Sequence, residues 1–247
     1  MEKTKNSINL KLLVVSLIYS ILLVGSIFLI KFNTNWLKND VVTTVITLSA
    51  VVLLIPALVM IGKATMKRML IQDMVFLALL IAMEVIFSRV LSIHTDTTRI
   101  SLTFIPMIIC ATQLGIGQTM ILGGVADIVG SFVFPLGSYF PPYTVTEIIR
   151  GLIFGLIGYM FTRNFVKNAS KIKSIVYMYI IAFIGVLLSQ GVCSLLLNSC
   201  WMTMTGSNFS AIIIQRLPQV MIMIPLQTVT IPLIYKALSK VSLGRTA

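Results

Sequence analysis

Ionisable side chains inside apolar stretches have the greatest capacity for chemistry in this sequence, because each is costly at membrane depth. Glu84 and Arg89 fall near the end of one such stretch and Asp127 inside another. Glu147 and Arg150 stand at the head of a third, and Arg216 lies near the start of the last. Arg99 closes the polar segment Ser92-Ile-His-Thr-Asp-Thr-Thr-Arg99. Glu147 and Arg150 are spaced to neutralise each other on one helical face, and Arg89 is long enough to snorkel towards head groups. As a set, these residues put more arginine than carboxylate at one end of the molecule, and a preformed cationic pocket suits a carboxylate ligand. Aromatic residues crowd the same end. Phe134-Pro-Leu-Gly-Ser-Tyr-Phe-Pro-Pro-Tyr143 reads as an ordered cap carrying Tyr139 and Phe140. Asn198-Ser-Cys-Trp-Met-Thr-Met-Thr-Gly-Ser-Asn208 reads as a second loop, with Asn198 and with Trp201 at interfacial depth. The combination points to a site that stacks a flat ring and grips a carboxylate.

Other chemistries lack their parts. His94 is the one histidine, and Cys110, Cys193 and Cys200 form no CxxC pair, so neither a metal site nor a cofactor is expected. A membrane protease would need an HExxH motif or a nucleophile with its base, and the sequence offers neither, so no enzyme is expected. The nearest approach to a phosphate-binding loop, Gly62-Lys63-Ala64, lacks the upstream glycine and the Ser/Thr that Mg²⁺ coordination requires. Any ATP-driven step must be powered by another chain.

The elements that position these residues are apolar helices. Of 247 residues, 57% are hydrophobic and 11% charged, with a mean hydropathy of +1.01. A soluble domain has about a quarter charged residues, so the solvent that fits this balance is the lipid bilayer. A spanning helix needs about 20 mostly apolar residues. The candidates are Leu12–Ile30 and Val41–Ile61, then Met69–Leu91, Ile100–Leu114, Gln118–Phe134, Thr144–Phe161, Ser174–Leu197 and Phe209–Leu238. The expected fold is therefore an all-α integral membrane protein, with a two-helix extension over 1–66 and a six-helix core over 67–247. Gly115-Ile-Gly117-Gln118 reads as a tight turn between two short spans, and Pro218, Pro225 and Pro232 predict kinks in the last. The net charge of +12 lies between apolar runs and forms no basic stripe with interleaved aromatics, so nucleic acid is not an expected partner. Lys3, Lys5, Lys11, Lys63, Lys67, Arg68, Arg163, Lys167, Lys171, Lys173, Lys236, Lys240 and Arg245 collect on one side if the N-terminus is cytoplasmic. The plain loops of the other side hold Lys31 and Lys38, which places both termini in the cytoplasm of a cell-membrane protein.

From about Met69 to Leu238 the chain resembles the substrate-binding (S) components of energy-coupling factor (ECF) vitamin transporters, most closely the folate type. The residues that carry the resemblance begin with Ala78-Leu-Leu-Ile-Ala-Met-Glu-Val-Ile-Phe-Ser-Arg-Val-Leu-Ser-Ile93 and Arg99-Ile-Ser-Leu-Thr-Phe-Ile-Pro106. They continue with Gly124-Val-Ala-Asp-Ile-Val-Gly130, Phe134-Pro-Leu-Gly-Ser-Tyr-Phe-Pro141 and Thr146-Glu-Ile-Ile-Arg-Gly-Leu152. The resemblance implies a subunit that captures folate or a folate derivative for an ABC importer. It also implies a membrane coupling subunit docked on the Ala78/Ala82 face and two cytoplasmic ATPases. The expected substrate-binding residues are Glu84, Arg89, Arg99, Asp127, Tyr139, Phe140, Arg150, Asn198, Trp201 and Arg216, with Asp127 meeting the ring and the arginines serving the acidic tail. Another anionic vitamin or precursor is the alternative within the family. An ion-coupled secondary transporter using Asp127 and Glu84 is the alternative outside it.

Overall fold

The structure, a computed structural model, describes residues 58–59, 62–63, 65, 69–94, 99–135, 139–162, 171–203 and 209–240. The expected span Leu12–Ile30 and nearly all of Val41–Ile61 fall outside these residues, as does the boundary between 66 and 67. Helix α1 (Ile71–Val85) opens with the Asp73 carboxylate accepting the Leu70 backbone N–H at 3.1 Å, which satisfies one of the donors a helix start leaves without a partner. It runs on into a π-helical turn, Ile86–Val90. Two-residue strands β1 (Ile93–His94) and β2 (Arg99–Ile100) then pair antiparallel, Ile93 opposite Ile100 and His94 opposite Arg99.

Helix α2 (Phe104–Gln113) is about 15 Å long at 1.5 Å per residue, too short to cross a bilayer core of about 30 Å. It is held inside the bundle, and Phe104, Met107, Ile108 and Cys110 are buried at its centre. The expected tight turn is there. Gly115 adopts φ 109°, a conformation that a side chain makes costly, and α3 (Ile116–Val133) starts immediately after it.

Helix α4 spans Pro141–Thr162. Its start corrects the expectation that the whole segment to Tyr143 is non-helical: Pro141 and Pro142 occupy the first turn, where a missing N–H costs nothing and a fixed φ helps. Helix α5 (Lys171–Leu188) passes through a π-helical stretch, Ser189–Leu197, into α6 (Asn198–Thr203). The expected second loop is thus helical over its first six residues. Helix α7 (Phe209–Lys240) keeps Pro218, Pro225 and Pro232 within one helix. Among the described residues, five helices are long and apolar enough to cross a membrane. Their connectivity gathers the β1–β2 pair, the start of α4, the end of α6 and the start of α7 at one end of the bundle. Lys173 and Lys236 stand at the other.

Candidate functional site

The site begins with two helices in near backbone contact. A Cβ on Gly123 of α3 would meet the Glu147 carbonyl of α4, and one on Gly151 of α4 would meet the Thr119 carbonyl of α3. Gly155 in turn lies against Ile116. Small residues on facing helices allow this approach. It brings Asp127 of α3 to the first turn of α4, where Thr144 Oγ1 donates to Asp127 Oδ2 at 2.7 Å.

Asp127 is the hub of a connected network. Its Oδ1 accepts from Arg89 Nη2 at 3.2 Å, and the same nitrogen donates to Ser131 Oγ at 3.0 Å. The Thr144 hydroxyl proton is spent on Asp127, so the Tyr139 phenol, 2.9 Å away, is the donor in that contact. Tyr139 also lies tilted against Phe132, with centroids 5.9 Å apart. Arg89 itself rises from the π-helical turn and lies over Gly130. Both Asp127 oxygens are therefore engaged by the protein, and the network ties the end of α1 to α3, α4 and the segment before α4.

The second group centres on Arg150. Its Nη1 donates to both oxygens of Glu147 at 2.7 and 2.8 Å, the local neutralisation that the three-residue spacing predicts. The Cys193 thiol lies within hydrogen-bonding reach of Arg150. Glu84, buried on the inner face of α1, and Asp127 are within electrostatic range of the same guanidinium.

Arg216 differs from both. It is 8% exposed and donates to the Ser194 carbonyl at 2.8 Å and to Met202 Sδ at 3.0 Å. Its partners are neutral, and its Nε has none among the described residues. Arg89 and Arg150 each have a carboxylate, whereas no carboxylate of the described residues lies within ion-pair distance of Arg216. A buried cation without its counter-charge costs several kcal/mol, so Arg216 is where the site is ready for an anion. Close by, Asn198 Oδ1 and Ser199 Oγ are buried acceptors without a partner among the described residues.

Trp201 is 3% exposed, in a helix rather than in an interfacial loop. Its indole N–H donates to Thr146 Oγ1 at 2.8 Å, and Thr146 donates to the Pro142 carbonyl at 3.2 Å. Phe140 packs on the same apolar cluster and meets Tyr143 edge-on with centroids 5.8 Å apart. Replacing Thr146 by valine should leave the indole N–H buried and unpaired, at a cost of about 1–3 kcal/mol. A lower unfolding midpoint in detergent, read by tryptophan emission, is the expected result; an unchanged midpoint would mean that the indole finds another acceptor. Arg99 holds a backbone position in β2 opposite His94. Ala78 and Ala82 are exposed on the outer face of α1, away from the buried Glu84.

Sequence reasoning missed Thr144, Thr146 and Ser194, whose roles depend on partners far along the chain, and the buried pair Gln190 and Gln227. Two amides inside apolar runs were a usable signal for that pair, since polar residues at membrane depth mark function or packing contacts.

A family model described as "ECF-type riboflavin transporter, S component" matches residues 68–240. The chain is 28% identical over 159 residues to the folate transporter FolT of Clostridium novyi (strain NT), covering 64% of this chain and 84% of that protein. It is 27% identical over 162 residues to the folate transporter FolT of Leuconostoc mesenteroides, covering 63% and 80%. A crystal structure of FolT bound with folic acid matches at a TM-score of 0.55 and 27% identity, over 65% of this chain and 90% of that one. These matches set aside the ion-coupled secondary transporter. With five helices able to cross a bilayer and a family match over most of its length, this multi-pass membrane protein belongs to the family of S components of ECF-type transporters.

Proposed function

We propose that the chain captures folate or a folate derivative at the β1–β2 end of the bundle and hands it to an ECF-type importer. The observation that carries this reading is Arg216, a buried cation whose protein partners are all neutral. Folate brings carboxylates that such a cation can grip, and it joins them to a flat ring that suits the aromatic end of the site. The similarity to folate transporters supports the same substrate class. The family description names riboflavin, but riboflavin has a flat ring and a neutral polyol, with no anion to offer Arg216.

In this reading the β1–β2 end faces outward and the Lys173/Lys236 end faces the cytoplasm, in keeping with the positive-inside bias. A membrane coupling subunit docks on the exposed Ala78/Ala82 face, and two cytoplasmic ATPases supply the energy. The test is titration of the purified chain with folic acid and with riboflavin, followed by tryptophan emission and native mass spectrometry. One folic acid bound per chain, and no riboflavin, is the expected outcome. Riboflavin binding in preference to folic acid would overturn the substrate assignment.

A further inference from the structure

A layer of polar side chains crosses the apolar interior where the π-helical stretch Ser189–Leu197 faces α7. Gln190 Nε2 donates to Gln227 Oε1 at 3.2 Å, and both residues are 4% exposed. Ser189 stands beside Gln190, and Thr228 beside Gln227. Gln190 Oε1, Ser189 Oγ and Thr228 Oγ1 are buried with no partner among the described residues. Elsewhere in the chain, hydroxyls within helices bond the carbonyl four residues back, as Thr112, Thr119, Ser131 and Thr230 do. At this layer they do not. An amide pair serving only to hold two helices together would be expected to use its hydrogen-bonding capacity. Here one amide bond is made, and the fork formed by Gln190 Oε1 and the Gln227 amide nitrogen remains.

That fork has a defined complement. An acceptor and a donor side by side, each on a planar amide, match the N–H and C=O of a heterocyclic lactam edge, as glutamine and asparagine match the edge of adenine. The pterin ring of folate has such an edge. Position along α7 fits too, because Gln227 lies about 16 Å along the helix from Arg216 at 1.5 Å per residue. The π-helical stretch carries Gln190, Ser194 and Asn198 at successive turns of the same element. Ser194 holds Arg216 through its carbonyl. A polar path thus connects the amide layer to the uncompensated cation.

We infer that Gln190 and Gln227 are specificity-determining residues that read the lactam edge of the ligand's flat ring, while Arg216 takes its acidic end. This rests on the folate reading above and assigns the deep half of the same site.

The experiment uses the full chain in detergent with two probes: folic acid, and p-aminobenzoylglutamate, which keeps the acidic tail and lacks the ring. Gln190→Leu and Gln227→Leu should each weaken folic acid by at least about tenfold, the loss seen when a site built to hydrogen-bond loses its partner. The dissociation constant of p-aminobenzoylglutamate should be the same in wild type and variants. Equal weakening of both probes would show a structural role and overturn the inference, as would unchanged folic acid affinity. Folic acid that fails to bind the wild-type chain would instead overturn the substrate reading, and the inference with it. Gln190→Met, which preserves side-chain length, provides the same comparison if a leucine variant does not accumulate.

Discussion

A Gly151→Leu variant should fail to yield folded protein, and Gly151→Ala alone should lower the unfolding midpoint in detergent. The alanine methyl would fall on the Thr119 carbonyl, and the nearby Met120 backbone leaves it no room to move aside. Overpacking of this kind costs about 1–3 kcal/mol when neighbours can shift, and here the neighbours are main chain. The loss spreads beyond packing, because separating α3 from α4 pulls Asp127 from Thr144 and so loosens the Arg89 network. Gly191 is the control, since a Cβ there meets nothing within 4 Å. Its alanine variant should unfold at the wild-type midpoint or above. A Gly151→Ala protein as stable as wild type would show that the close approach of the two helices is not what holds the site.

Arg216→Gln should produce two effects of opposite sign. Folic acid affinity should fall by about a hundredfold, the scale of 2–5 kcal/mol lost when one partner of a buried charge pair is truncated. The ligand-free protein, relieved of a buried cation with no counter-charge, should unfold at the same temperature or a higher one. Arg89→Gln should behave in the reverse sense: it strands Asp127 and lowers stability without ligand. Thermal unfolding of the three proteins with and without saturating folic acid separates the cases, because a bound ligand stabilises in proportion to the logarithm of its concentration over its dissociation constant. Equal loss of ligand-free stability in both variants would mean that Arg216 is a structural cation.

The helical core was legible because a bilayer imposes length and apolarity on each span, and those are properties of contiguous sequence. Met69–Leu91 and Phe209–Leu238 stand close to the observed elements for that reason. Local rules read by residue type went astray at Pro141 and at Asn198: both segments look like loops in composition, yet proline is welcome in a first helical turn and six polar-rich residues can simply prolong a helix. Glu147 with Arg150 was readable from spacing on one helix. Arg89 with Asp127, separated by 38 positions, was not, because nothing in one sequence says which face of α3 meets the end of α1. The same limit hid the exceptional status of Arg216. Its lack of a carboxylate follows from where every other charge went.

The π-helical stretch before α6 has a consequence for how this chain tolerates change. Each α-helical residue advances the direction of its side chain by about 100°, so deleting one residue anywhere in Ser189–Leu197 would leave composition and hydropathy almost untouched. It would nevertheless swing all that follows by that angle, carrying Trp201 away from Thr146 and Asn198 away from the interior. In this segment the number of residues carries more information than their identity, and a library of single-codon deletions should find it intolerant where conservative substitutions pass.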